Sequence, residues 1–335
     1  MKVLVTGASG FLGRHLLAAL HESPAHEVVG LCRRPERLGD VPVSVLRSDL
    51  LAPDGLAEHF AGFDAVVHAA GSVSHEARDA GAMYDAHVRA TEHTVAAAQE
   101  AGVRRLLVLS SSGTIAVSDR DETLDETAPS PLSFTKGWPY YRAKLFAEQS
   151  ALAASSDTLD VVVLNPSLLL GPTAPAPFDV GSSPSAGDDV LLPLLRGQLP
   201  VAPGGGISFV DVRDVARTVV RALGHGHPNR RYLLVGANWT FADFYARAGR
   251  AAGVRGPGLK APRFGARLLS FLPKIAQDRL PASPVELEMA SHFWWADSTR
   301  ARKELEFAPR EPLDTLTEAV MLARRALDGE DRRAV

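Results

Sequence analysis

Short apolar runs alternate with amphipathic stretches through the first half of the chain. The runs are almost wholly apolar, as in strands buried on both faces, and they occupy residues 2–6, 27–32, 43–46, 64–69, 105–110 and 160–164. Leucines at helical spacing follow the first run, and longer amphipathic patterns cover residues 81–101 and 140–154. This alternation predicts an α/β fold with a doubly wound parallel sheet covered by helices on both faces.

The pattern changes after Pro166. Residues 171–189 are rich in Pro, Gly and Ser, which is typical of a lid, a binding loop or a linker. Residues 210–223 then predict a helix, residues 231–235 predict a strand that returns to the sheet, and residues 240–325 are mostly helical in pattern. The predicted units are a main domain of residues 1–166 plus about 207–236, a smaller and mostly helical lobe of residues 167–206 and 237–327, and a frayed tail, residues 328–335.

Composition and charge exclude several classes of protein. The chain has 335 residues, of which 46% are hydrophobic and 22% charged, as in a globular protein of one or two domains. A net charge of −3 does not favour a nucleic-acid partner, and no apolar run of the sequence is long enough for a membrane span. The single cysteine, Cys32, excludes an internal disulfide and a zinc cage. The first residues are more typical of a strand than of a signal peptide, so we expect a soluble cytoplasmic protein.

A glycine turn connects the first predicted strand to the first predicted helix. Glycine permits a sharp turn and a close approach of a pyrophosphate, and the helix that follows presents free N–H groups to the phosphates. The order of strand, turn and helix therefore predicts a dinucleotide-binding site. Its residues are Gly7, Ser9, Gly10, Phe11, Leu12 and Gly13.

The end of the second predicted strand favours NADP over NAD. An NAD site typically places Asp or Glu there, which accepts a hydrogen bond from the ribose. This chain instead has Arg33 and Arg34, whose guanidinium groups can bind a 2′-phosphate by charge and geometry. We therefore predict NADP as the cofactor, with Arg33 as the first contact, Arg34 as the second, and NAD as the alternative.

Tyr140 and Lys144 lie four residues apart in a predicted helix and share one of its faces. A free tyrosine has a pKa of about 10, and a nearby ammonium lowers that pKa by favouring the phenolate. Only six of the 36 Lys and Arg residues are lysines, so Lys144 stands out in a chain that otherwise uses Arg. The pair predicts a general acid–base centre.

Three serines follow the fifth predicted strand, at residues 110–112. The carboxyl ends of strands line the ligand crevice of an open α/β sheet, so a serine here can bind a substrate carbonyl. We predict that Ser112 is the catalytic serine, with Ser111 as the alternative.

Together these motifs resemble the extended short-chain dehydrogenase/reductase superfamily, which includes NAD(P)-dependent epimerases and dehydratases, over about residues 1–325. Other segments similar to family motifs are residues 48–50 (SDL), 68–70 (HAA), 164–167 (LNPS), 209–216 (FVDVRDVA) and 295–298 (WADS). The resemblance implies a Rossmann domain and a homodimer formed through helices such as 81–101 and 140–154. It adds further cofactor-binding residues, namely Asp49, Leu50, Ala69, Ala70, Lys144, Pro166 and Ser167.

Departures from the family pattern favour one branch. Sugar-nucleotide epimerases and dehydratases usually have Tyr-Gly after the serines, where this chain has Ala116-Val117, and Asn where it has His87. The run of residues 111–115 (SSGTI) and Arg33 are more similar to dihydroflavonol reductases, aldehyde and ketone reductases and 3β-hydroxysteroid dehydrogenases. This branch implies a ketone or aldehyde substrate that is relatively apolar.

The resemblance implies hydride transfer between the nicotinamide and a carbonyl or secondary alcohol. Tyr140 would protonate the developing alkoxide, Lys144 would lower the pKa of Tyr140 and hold the ribose, and Ser112 would bind the carbonyl oxygen. The candidate walls of the substrate pocket are apolar or neutral. They are Ser72, Ser74, Trp138, Leu168, Phe178 and Phe209.

Two other functions stay open. A nucleotide-sugar epimerase or dehydratase would use basic residues of the smaller lobe, where Arg196, Arg255 and Arg263 are available. A non-catalytic NADP-binding sensor is the minor alternative, which the complete set of Ser, Tyr and Lys disfavours. No metal site is predicted, because His225 and His227 lie in a turn without acidic or cysteine partners nearby in sequence.

Overall fold

Seven parallel strands form the main sheet of the protein. A computed structural model describes residues 1–178, 187–261 and 283–333. Its strands are β1 (Lys2–Thr6), β2 (Glu27–Cys32), β3 (Ser44–Arg47), β4 (Ala65–His68), β5 (Arg105–Leu109), β6 (Asp160–Pro166), β7 (Leu168–Leu170), β8 (Val201–Ala202), β9 (Gly206–Asp211), β10 (Arg230–Leu234), β11 (Ala237–Thr240) and β12 (Leu259–Lys260). The order across the main sheet is β10-β6-β5-β4-β1-β2-β3, and every neighbouring pair is parallel. The predicted parallel sheet is confirmed.

Helices cover both faces of this sheet. In chain order, the helices of the described residues, including those of the smaller lobe, are α1 (Phe11–His21), α2 (Leu56–Phe60), α3 (Ala80–Tyr84), α4 (Ala90–Glu100), α5 (Leu132–Thr135), α6 (Pro139–Ala153), α7 (Asp188–Leu195), α8 (Val212–His225), α9 (Phe241–Ala252), α10 (Pro284–Met289), α11 (Thr299–Glu304) and α12 (Pro312–Arg333). Val3 and Val5 pack in a core cluster with α1 and α8, whereas Leu4 packs in a second cluster with α2, α4 and α6. Because successive side chains of a strand point to opposite faces, the sheet is doubly wound, as predicted.

The direction of strand order reverses beside β1. The chain passes from β1 outward through β2 and β3, then returns to β4 on the other side of β1 and continues outward through β5 and β6. In open α/β sheets, ligands bind outside the carboxyl ends of the strands at such a reversal. The glycine turn follows β1, and Ala69 and Ala70 follow β4, so both lie where a ligand is expected.

A smaller lobe has its own sheet and its own core. Strand β9 pairs with β7 in parallel and with β11 antiparallel. Phe209, Phe244 and Leu316 bring β9, α9 and α12 together in the apolar core of this lobe. Residues 206–211 therefore belong to the lobe's sheet, whereas α8 packs on the main sheet and β10 joins it.

Two boundaries differ from the predicted ones. The helix predicted from residue 210 begins after Asp211, because this residue ends β9 and its carboxylate caps α8 by accepting the N–H of Arg213 (2.9 Å). The tail predicted to fray from residue 328 is part of α12, which continues to Arg333. Leu316 and Val320 are buried at helical spacing, and this apolar face anchors α12 to the lobe.

Candidate active site

The glycine turn is shaped by close approaches of the backbone. Gly7 has a φ of +70°, and a Cβ at this position would lie 2.6 Å from backbone atoms of Ala70. A Cβ on Gly13 would collide with the carbonyl oxygen of Gly7. Both positions therefore require glycine, which lets the turn lie against the chain that leaves β4.

The N-terminus of α1 can bind an anion. Gly10 is the N-cap residue, and no side chain caps the helix, so N–H groups of the first turn are left for a ligand. Gly10 is exposed, and Ser9, Phe11 and Leu12 are partly exposed around it. A backbone cradle at a helix N-terminus fits the diphosphate of a dinucleotide. The structure thus brings the residues predicted for the glycine turn together.

Arg14, which the sequence analysis missed, ties the glycine turn to the loop after β2. This buried side chain donates from Nε to the carbonyl of Ser9 (3.2 Å) and from Nη2 to the carbonyl of Arg37 (2.8 Å). Arg33 and Arg34 begin the same loop, and both are exposed. The guanidinium groups predicted to bind a 2′-phosphate are therefore accessible to a ligand. An arginine on the otherwise buried face of α1 was the available signal for Arg14.

The other predicted cofactor contacts follow the carboxyl ends of β3, β4 and β6, or end β6 itself. They are Asp49, Leu50, Ala69, Ala70, Pro166 and Ser167. The carboxylate of Asp49 accepts the N–H of Leu51 (3.0 Å), which fixes the turn after β3. The hydroxyl of Ser167 donates to the carbonyl of Leu234 (3.3 Å), which ties the β6 exit to β10. Their role in binding a cofactor stays a prediction.

Helix α6 brings Tyr140 and Lys144 to the end of β5. The ammonium of Lys144 donates to the carbonyl of Leu109 (2.7 Å), the last residue of that strand. Burial lowers the pKa of Lys144 to about 8, and the charge of Glu148 opposes this shift. Burial raises the pKa of Tyr140 to about 12, and a hydrogen bond with the side chain of Ser111 opposes that shift. At neutral pH the pair is therefore a cationic lysine and a protonated tyrosine.

The structure favours Ser111, the alternative in the sequence analysis, over Ser112, and the choice between them stays a prediction. Ser111 is half-buried and its side chain opposes the rise in the pKa of Tyr140, whereas Ser112 is only 4% exposed. The reason is a short 3₁₀ turn, Ser112–Thr114, that starts immediately after Ser111 and buries Ser112. The expected lowering of the Tyr140 pKa by Lys144 is not seen either, because burial dominates and the ammonium is directed at Leu109.

An aromatic cluster surrounds Tyr140. The ring of His75 stacks on Tyr141 at 6.0 Å and meets Tyr140 edge-on at 6.1 Å. On the other side, Trp294 lies 4.8 Å from Tyr141 and stacks on the buried Trp138 at 5.5 Å. Trp138 therefore supports this cluster from behind. The sequence analysis missed Tyr141 and Trp294, and only the position of Tyr141 next to Tyr140 could have indicated the former.

His87 anchors the loop that contains two predicted substrate contacts, Ser72 and Ser74. Its Nε2 lies 2.7 Å from the carbonyl of Ser72, and its ring meets Tyr140 edge-on at 5.3 Å. It belongs to a π-helical segment, Asp85–Arg89, between α3 and α4. Burial lowers the pKa of His87 to about 3, so the ring is neutral and Nε2 carries the proton it donates to Ser72. The hydroxyl of Ser74 donates to the carboxylate of Asp79 (2.7 Å).

Three predicted pocket walls are not brought to Tyr140. Phe178 is a core residue that packs edge-on against His21 at the far end of α1, and its role in substrate binding stays a prediction. Phe209 is buried in the core of the smaller lobe against Trp239, and its role stays a prediction as well. Leu168 pairs with Phe209 and packs on that core. The position of an apolar residue next to a motif in the sequence does not show in which hydrophobic core its side chain packs.

The described residues offer neither a metal-binding cluster nor a helix that could span a membrane. No group of three or more His, Cys, Asp or Glu side chains in residues 1–178, 187–261 and 283–333 could hold a metal ion. In the same part of the chain, no helix combines the length and the apolar character that crossing a membrane requires. Arg263, one of the basic residues considered for a nucleotide sugar, lies outside the described residues.

Comparisons with known proteins agree with this geometry. The model of the NAD dependent epimerase/dehydratase family matches residues 3–235. A putative dihydroflavonol 4-reductase of Synechocystis is 29% identical over 94% of this chain and 92% of its own length. Cinnamoyl-CoA reductase 1 of Oryza sativa is 31% identical over 70% of this chain and 71% of its own length. Among solved structures, gox2253 is 28% identical with a TM-score of 0.81, over 97% of this chain and 98% of that protein.

Proposed function

The chain belongs to the NAD dependent epimerase/dehydratase family, and we propose that it is an NADP-dependent oxidoreductase for a ketone, an aldehyde or the matching secondary alcohol. One observation carries the proposal. Tyr140, Lys144 and Ser111 converge at the carboxyl end of β5, at the edge of the sheet where the glycine turn also opens. The similarity to reductases of comparable length supports the same reaction type.

The chain's own residues bind and orient the reactants. The first turn of α1 would hold a diphosphate, Arg33 and Arg34 a 2′-phosphate, and Lys144 the ribose hydroxyls. A nicotinamide cofactor, when bound, supplies the hydride that is exchanged with the carbonyl carbon.

Tyr140 is the residue that would donate the proton to the substrate. Its pKa of about 12 keeps the hydroxyl protonated at neutral pH, so it can donate to a carbonyl oxygen that gains negative charge. The Ser111 side chain opposes the rise in the pKa of Tyr140, and its hydroxyl would bind the same carbonyl oxygen. The Lys144 ammonium donates to the carbonyl of Leu109, one helical turn from Tyr140, and from there it would bind the ribose of the cofactor.

The surroundings of Tyr140 favour an apolar or aromatic substrate without phosphate groups. The rings of His75, His87 and Tyr141 meet Tyr140 edge-on. Burial lowers the pKa of His75, and the negative charges of Glu286, Asp189 and Glu76 oppose that shift. The electrostatic environment of His75 is therefore negative, which disfavours a diphosphate.

Protection against heat distinguishes this substrate class from a nucleotide sugar. With NADP present, apolar ketones or the matching alcohols are expected to raise the Tm, and the rise should grow with the logarithm of their concentration above Kd. A nucleotide sugar should leave the Tm unchanged. The opposite result, protection by nucleotide sugars and not by any carbonyl compound, would support the epimerase or dehydratase reaction instead.

A homodimer is proposed through the layer of α3 and α6. Phe146 is 37% exposed and Tyr84 is 44% exposed on this layer, and burial of both in a partner would remove apolar surface from water. Phe146→Glu is expected to produce a monomer in light scattering, because a charge would be buried in the interface. Leu313→Glu, at an exposed apolar position on α12, should leave the mass unchanged. A wild-type monomer would contradict the proposal.

A further inference from the structure

Glu148 is a buried carboxylate one turn beyond Lys144 on α6. Only 1% of its surface is exposed. Spacings of four residues place Tyr140, Lys144 and Glu148 along one side of the helix. Burying a charged group is unfavourable unless it is paired and hydrogen-bonded, so its contacts show what it holds in place.

The carboxylate joins α6 to elements on the carboxyl side of the sheet and to β10. Its Oε2 accepts hydrogen bonds from Oγ1 of Thr114 (2.7 Å) and from Nδ2 of Asn165 (2.7 Å). Its Oε1 accepts from Nη1 of Arg231 (3.3 Å). Thr114 follows β5, Asn165 lies in β6 and Arg231 lies in β10.

Asn165 extends these contacts to the serine. Its Nδ2 also lies 3.2 Å from the carbonyl oxygen of Ser111, and an amide group has two hydrogens to donate. A carboxylate can only accept, so Glu148 selects the orientation in which the NH₂ group of Asn165 faces Ser111. The other end of the amide, Oδ1, is buried without a hydrogen-bond partner among the described residues. Glu148 therefore sets the orientation of the Asn165 amide, although this orientation leaves Oδ1 without a hydrogen bond.

Glu148 also places a negative charge one helical turn beyond Lys144 on α6. This charge opposes the lowering of the Lys144 pKa that burial causes. His68 and His87 lie near the same ammonium, but burial lowers the pKa of each to about 3, so both are neutral at working pH. Tyr140, with a pKa of about 12, is neutral as well.

We propose that Glu148 is a positioning residue of this centre, which holds Ser111 in place through Asn165 and supplies the negative charge that faces Lys144. The inference rests on the proposed function for the meaning of Ser111 and Lys144. The hydrogen-bonding role and the charge of Glu148 can be tested separately. Glu148→Gln removes the charge, whereas Glu148→Asp keeps the charge and shortens the reach to Asn165.

The first test needs no turnover. Acetic anhydride reacts with deprotonated amines, and peptide mass spectrometry separates the six lysines of the chain. The labelling of Lys144 against pH is expected to have its midpoint near 8 in the wild type and in Glu148→Asp. The midpoint should move to lower pH in Glu148→Gln, because the charge that favours the ammonium is gone. An unmoved midpoint in Glu148→Gln would overturn the charge half of the proposal.

Glu126→Gln is the matched control. Glu126 is another buried carboxylate, 6% exposed, but it accepts the N–H of Leu233 and its carbonyl accepts from Arg231. The variant removes a buried carboxylate from another residue that contacts Arg231, without changing a contact of Asn165 or Thr114. It should label at Lys144 like the wild type, and an equal shift in both variants would mean a general loss of structure.

Turnover tests the hydrogen-bonding half. Glu148→Gln and Glu148→Asp are both expected to lower kcat by about 10- to 100-fold with KM nearly unchanged, since Ser111 acts on the charge that develops during reaction. Wild-type kcat in either folded variant would overturn this half, and Glu148→Asp alone decides if Glu148→Gln does not fold. If the wild-type protein shows no turnover, this result contradicts only the proposed function. The labelling experiment still tests the role of Glu148.

Discussion

Tyr140→Phe is expected to lower kcat by about 10²- to 10⁴-fold, which is the usual contribution of a positioned general acid or base. The variant keeps the ring in its contacts with His75 and His87 and removes only the hydroxyl that donates the proton. The Tm should therefore stay close to that of the wild type. The measurement is steady-state turnover with NADPH and the best carbonyl substrate, together with a thermal melt.

The neighbouring tyrosine provides the control for this variant. Tyr141 lies in the same cluster, stacked on His75 and against Trp294, and burial raises its pKa as it does that of Tyr140. Tyr141→Phe keeps those ring contacts and should retain most of the activity. Equal losses in the two variants, or full activity in Tyr140→Phe, would remove Tyr140 from its role as the proton donor.

The double variant Arg33→Ala/Arg34→Ala is expected to weaken NADPH binding by about 10- to 100-fold and to leave NADH binding unchanged. This change corresponds to about 1.4–2.7 kcal/mol for the pair, because charge interactions at an exposed site are weakened by solvent. Both guanidinium groups are exposed at the end of β2, so their removal leaves no buried group unpaired. Calorimetric titration with each dinucleotide measures the two values of Kd.

Arg255→Ala is the control for charge alone, because it removes an exposed arginine from the smaller lobe. It should bind both dinucleotides like the wild type. If the wild type already prefers NADH, or if the double variant loses both dinucleotides equally, the assignment of NADP to this loop is wrong.

The main sheet was predictable because its strands are short apolar runs, and a parallel sheet buries both faces of such strands. The glycine turn was predictable from residue type, because Gly7 and Gly13 occupy positions where a Cβ would collide with the backbone. Local chemistry therefore specifies these parts. Tyr140 and Lys144 were also found locally, because one helical turn separates them.

Features that depend on tertiary packing were not predictable. Ser111 and Ser112 are identical in type, and only the turn that buries Ser112 distinguishes them. Phe178 and Phe209 lie near family-like motifs in the sequence, but each fills a different hydrophobic core. Arg14 and Glu148 are buried polar residues whose partners are distant in the chain, so pattern and spacing could not reveal them.

The stoichiometry of cofactor use tests the central claim most directly. NADPH absorbance and product are measured together over a panel of alicyclic, aromatic and acyl ketones and aldehydes, with nucleotide sugars assayed in parallel. We expect one NADPH to be consumed for each carbonyl reduced. Conversion of a nucleotide sugar without net consumption of any dinucleotide, with no carbonyl compound reduced, would contradict the assignment as a carbonyl oxidoreductase.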